Sequence, residues 1–109
     1  GTLDKGIISG RVTKERNFDA SDCRSWAPWW KKSNKNQKIE RMQKVLRLLK
    51  ENDLTGVDLA MFHFFENKEI NCALIGSRTS EQLGDLVYRV STRKMSREVY
   101  LNVLELLKI

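Results

Sequence analysis

The sequence predicts a mostly helical α/β chain, and three observations carry that expectation. Apolar residues recur at three- and four-residue steps in several separate segments. One short apolar run, "CALI" at 72–75, ends in Gly76 and reads as a buried strand. The chain has 109 residues, is 40% apolar and 31% charged, and holds a single proline, which fits one small globular domain and not a loop-rich sandwich.

The helices follow in order. Ile39, Met42, Val45, Leu46 and Leu49 form one stripe over about residues 35–52, with Lys38, Arg41, Lys44 and Arg47 on other faces. Thr55 is an N-cap with Asp58 at the N3 position, and it opens a helix over about 56–66 that is apolar on most sides and should be largely buried. Thr79 caps a third helix with Gln82 in capping-box register, and Leu83, Leu86, Val87 and Val90 form its stripe. Ser96 caps a last helix, with Val99, Val103, Leu106 and Leu107 facing inward. Residues 1–35 lack a helical period. Their aromatic cluster, Trp26, Trp29 and Trp30, reads as a plug that pins a long loop to the core. A lone strand leaves unpaired backbone groups, so either "GTL" at residues 1–3 is the tail of a partner strand or the partner lies outside the chain.

Charge and composition narrow the function. The formal net charge of +6 suits an anionic partner: nucleic acid, a membrane surface or a phosphorylated small molecule. Two cysteines 49 positions apart and one histidine give no zinc pattern. No apolar run reaches the ~20 residues of a membrane helix. The expectation is a cytoplasmic protein with free thiols and no membrane partner. His63 reads as a satisfied, at least half-buried side chain. The face bearing Lys38, Arg41, Lys44 and Arg47 reads as solvated exterior, and the tryptophans, interleaved with Lys31, Lys32 and Lys35, could alternatively stack on the bases of a nucleic acid.

The stretch "ALIGSRTSEQLGDL" is the most informative. Gly76 lets backbone approach a ligand, the helix after Thr79 presents free N–H groups, and Arg78 adds a planar cation suited to phosphate. A capped helix beside a solvated arginine fits the same residues. No constellation for acid–base or nucleophilic catalysis emerges.

Taken in order, these segments resemble the aldo/keto reductases. "LDKGIISGRV" is similar to the family's S-P-L-G-R-G-L-L-S-G-K, and "FDASDCRSWAPWW" to its D…R…P-aromatic loop. "AMFHFF" matches its buried A-L-A-W-L-L helix, and "CALIGSRTSEQLGDL" its P-I-P-G-S/T-R/K/S-x-x-E-Q-L-x-E-N. The likeness covers about residues 1–90.

The resemblance implies the C-terminal third of a (β/α)8 TIM barrel that reduces carbonyls with NADP(H). Gly1–Leu3 would end strand 7 of that barrel and "NCALI" would be strand 8. It puts Leu3, Lys5 and Gly6 at the pyrophosphate, and Gly76, Ser77 and Arg78 at the adenosine 2′-phosphate. Gln82 and Asp85 fall beside the adenine and ribose. The family's catalytic Asp, Tyr, Lys and His would lie upstream, so the resemblance assigns no catalytic residue here and implies an inactive fragment. The expected partners are the cofactor, a small carbonyl substrate and either a second copy or the missing part of the barrel. The rival expectation is a stand-alone basic helical module that binds nucleic acid or a protein partner.

Overall fold

The computed structural model describes residues 1–108 and contains, among them, five α-helices and no strand. The helices are α1 (Pro28–Lys31), α2 (Lys35–Glu51), α3 (Gly56–Glu66), α4 (Ser80–Thr92) and α5 (Arg97–Leu107). Helix α5 packs on α2, and α4 packs on α3. None of these helices is long and apolar enough to cross a membrane.

This overturns the α/β expectation and the barrel fragment implied by the resemblance. The chain is a helical domain. The physical reason lies in both candidate strands. Residues 1–6 spend their backbone groups on one another: Asp4 N–H donates to Gly1 O at 3.0 Å and Gly6 N–H to Leu3 O at 3.0 Å. Positive φ at Asp4, Lys5 and Gly6 curls this segment into a left-handed turn. Across from it, 72–75 has no regular secondary structure and is not buried, and Leu74 is 89% exposed. The two segments do meet, through the Thr2 hydroxyl donating to Leu74 O at 3.0 Å. One side-chain bond is not a ladder, and no sheet forms.

The core follows the periodicity of α2. Ile39, Met42, Val45 and Leu49 are buried against Tyr100 and Val103 of α5, with Ile7, Val12, Ala27, Leu54, Leu59 and Met95 closing around them. The tryptophans split. Trp30 is buried and meets Phe18 edge-on at 5.9 Å, so it is the plug, whereas Trp26 and Trp29 stay exposed at 60% and 52%. The expected burial of α3 holds for its first half, Gly56 to Met61, and fails for its second. His63 is on the surface there, its Nδ1 2.8 Å from the Tyr100 hydroxyl.

Helix α4 buries none of its residues. Its stripe is only partly covered: Leu86 and Val90 are half-buried, while Leu83 and Val87 are exposed, as are Leu106 and Leu107 at the end of α5. The Cα radius of gyration, 14.4 Å, is accordingly larger than the ~13 Å of a tightly packed chain this long.

What holds α4 is polar. Asp58 Oδ2, buried in the first turn of α3, accepts from Thr55 N–H at 2.7 Å, from the Thr55 hydroxyl at 3.1 Å and from Arg89 of α4 at 2.7 Å. Its other oxygen is buried without a partner. Arg89 also bonds Asp85 one turn earlier at 3.0 Å. Burial opposes the Arg89 charge, but Asp85 and Asp58 outweigh it and raise the guanidinium pKa above its usual value.

Two residues before Asp58, Gly56 lies directly on the N-terminal loop. A Cβ there would fall 1.7 Å from Ile8 O and 3.3 Å from Ser9 Cα, which are backbone atoms that cannot yield. Gly56→Ala should therefore lower unfolding free energy by about 3 kcal/mol or more, the range of severe overpacking. Urea unfolding checks it. A variant as stable as the parent would mean that the loop does not seat on α3.

Candidate functional site

The first ten residues, the loop through Cys23–Ser25 and the segment from Leu74 into α4 surround one cavity of about 700 Å³. That is the size of a small-molecule or cofactor site. Five cationic side chains and two carboxylates line it: Lys5, Arg11, Arg16, Arg24 and Arg78, with Asp22 and Asp85. The excess of positive charge suits an anionic ligand.

All eight residues singled out in the sequence, Leu3, Lys5, Gly6, Gly76, Ser77, Arg78, Gln82 and Asp85, line this cavity. They come from segments about 70 positions apart. Each is held for a local reason. Leu3 O accepts from Gly6 and Ile8 N–H, closing the left-handed turn. Lys5 extends over the Trp29 ring, Nζ 5.2 Å from its centroid. Gly6 has φ +98°, and a Cβ on it would sit 2.9 Å from Val12 Cγ2, so only glycine fits. Gly76 is different. Nothing lies within 4 Å of a Cβ built there and its φ is not positive, so neither packing nor a turn demands glycine at this position.

Thr79 caps α4 by accepting from Gln82 N–H at 3.2 Å. The reciprocal half of the box is altered: Gln82 Oε1 takes Arg78 N–H at 2.8 Å. That contact fixes the Arg78 backbone and leaves the Gln82 amide nitrogen as the group free for a ligand. Arg78 itself is 77% exposed, with Nη1 3.8 Å from Asp22 Oδ2, beyond hydrogen-bond range. Asp85 shares its carboxylate with Arg89 and remains half exposed.

The sequence did not single out Asp22, Arg24, Trp29, Arg11 or Arg16 as site residues. Asp22 caps the Cys23–Ser25 turn through Arg24 N–H at 2.9 Å and pairs with the Arg24 guanidinium at 2.6 Å. Arg24 in turn donates to Lys5 O at 2.7 Å, stitching this loop to the first turn. The D…R pattern in "SDCRS" was the available signal. Cys23 and Cys72 are both free and exposed. Among the described residues no cluster of His, Cys, Asp or Glu could hold a metal ion.

Comparison with family models, curated proteins and solved structures finds no match to this chain.

The Arg24 side chain and then its backbone N–H hold the Asp22 carboxyl well below the usual carboxylate range, with the Arg78 charge adding to the effect. A depressed pKa means that the unfolded chain binds the proton first as pH falls. The stabilisation is thus present above about pH 4, the unfolded value, and is lost only as pH falls through the lower folded value. Carbon-13 titration should find Asp22 still ionised at about pH 3, where an unperturbed Asp is mostly protonated. A midpoint near the ordinary value would show that the Asp22–Arg24 tie does not hold in solution.

Proposed function

We propose that this chain grips the phosphate-bearing half of NADP(H), as the cofactor-binding segment of an aldo/keto-reductase-type oxidoreductase that converts carbonyls to alcohols. One observation supports the reading above all. Leu3, Lys5 and Gly6 on one side and Gly76, Ser77, Arg78, Gln82 and Asp85 on the other, far apart in the chain and matched to the family's two phosphate-binding stretches, line a single cation-rich cavity.

The roles follow from chemistry. Arg78 offers a planar, largely exposed guanidinium whose neighbouring carboxylate, Asp22, lies 3.8 Å away and is not hydrogen-bonded to it, which suits the adenosine 2′-phosphate. Lys5 and the backbone around Gly6 suit the pyrophosphate. Gly76 and Ser77 let that ligand lie against main chain, beside the free N–H groups at the start of α4. The Gln82 amide nitrogen donates toward the adenine, and Asp85 accepts from a ribose hydroxyl. The bound cofactor supplies a hydride. No residue of this chain is assigned proton transfer, so the proposal is for binding without turnover.

The exposure of Trp26 and Trp29 next to Lys31 and Lys32 favours a second reading, a basic helical module that stacks single-stranded nucleic acid.

Calorimetric titration separates the two. NADP+ should bind more tightly than NAD+, and Arg78→Ala should erase that preference. The expected loss is about tenfold to a hundredfold, the worth of a charge-assisted bond. Equal affinity for both dinucleotides, or none for either, contradicts the cofactor reading. Salt-sensitive binding of single-stranded RNA that Arg78→Ala leaves intact supports the second.

A further inference from the structure

Two cations of the cavity have no part in the roles above. Arg11 and Arg16 both line it, and neither enters an ion pair among the described residues. The other three cations there each have a carboxylate within 4.0 Å.

Arg16 is also pre-positioned. Its Nη1 donates to Arg11 O at 2.7 Å, so the two residues are neighbours. Its guanidinium lies over the Phe18 ring, 5.1 Å from the centroid, with Arg24 also over that ring at 4.3 Å. Phe18 in turn rests on buried Trp30. A guanidinium braced in this way loses little freedom on binding, and most of its five donors remain free. Both side chains line the cavity without a paired carboxylate, so an oxyanion that reached both would meet two uncompensated cations.

Phe18, Arg24 and Asp22 form a chain of contacts between Arg16 and Arg78.

We propose that Arg11 and Arg16 form a second oxyanion subsite that takes a carboxylate or phosphate group. It rests on reading the cavity as a ligand site, and not on the ligand at Arg78 being NADP(H). The group is carried either by the dinucleotide's own pyrophosphate or by a second small anionic molecule.

Arginine Nε–Hε correlations of the nitrogen-15-labelled chain test it, with inorganic phosphate, succinate, 2′,5′-ADP and NADP+ as probes. Phosphate and succinate should shift the Arg11 and Arg16 signals saturably. Arg11→Gln, which spares the Phe18 stack, and the double Arg11→Ala/Arg16→Ala variant should each weaken that binding, the double by about tenfold or more. Arg78→Ala should change it less than about twofold, as expected for separate sites. If saturating NADP+ displaces succinate from Arg16, the pyrophosphate is the source; if both bind together, the source is a second molecule. Unsaturable shifts, or undiminished binding by the double variant, overturn the subsite. Failure of 2′,5′-ADP to shift Arg78 while succinate still binds at Arg16 defeats the dinucleotide reading alone.

Discussion

The buried carboxylate of Asp58 is the joint on which the cavity depends. It closes the first turn of α3 by binding Thr55, and it holds Arg89, the polar anchor of a helix that places no side chain in the core. Removing one partner from a buried, hydrogen-bonded charge pair costs about 3–5 kcal/mol, because the other charge stays buried and alone. Two residues earlier, Gly56 lets the same turn lie against the backbone of Ile8. One helical turn thus seats the N-terminal loop on one side and α4 on the other, and these two elements carry the two halves of the site.

That geometry explains how so little regular structure makes a defined cavity. The left-handed turn at residues 4–6 is tied to the next loop by Arg24, and that loop is pinned to the core through Phe18 and Trp30. The third wall, residues 74–78, is held by Thr2 at one end and by the Gln82–Arg78 contact at the other. Cations outnumber carboxylates where these walls converge, whereas pairs such as Lys38–Asp4 and Arg97–Glu66 lie on the surface.

Helix boundaries were legible because periodicity and capping are local. α2 and α3 begin and end within a residue of expectation, α4 and α5 begin right after their expected caps, Thr79 and Ser96, and the Thr55–Asp58 box is present. The strand was not legible, because a four-residue apolar run specifies burial only if something covers it. Here the turn at residues 1–6 consumes the backbone that would have paired with it, and Leu74 faces solvent. The apolar stripe of α4 and the last turn of α5 failed for the same reason: Leu83, Val87, Leu106 and Leu107 have the right spacing and no neighbouring layer, whereas Val99 and Val103 of α5 do meet the core. The candidate site was half legible. Its phosphate-type motifs lie in continuous stretches, whereas Arg11, Arg16 and Trp29 reach the cavity through loop packing that no short pattern encodes.

The most direct test of the joint is amide hydrogen exchange on Asp58→Asn, which keeps the shape and removes the charge. Protection across residues 80–92 should fall selectively, by about tenfold or more, while α2 and α5, which form the core, keep theirs. Unchanged protection in α4, or an equal loss in every helix, would contradict the account.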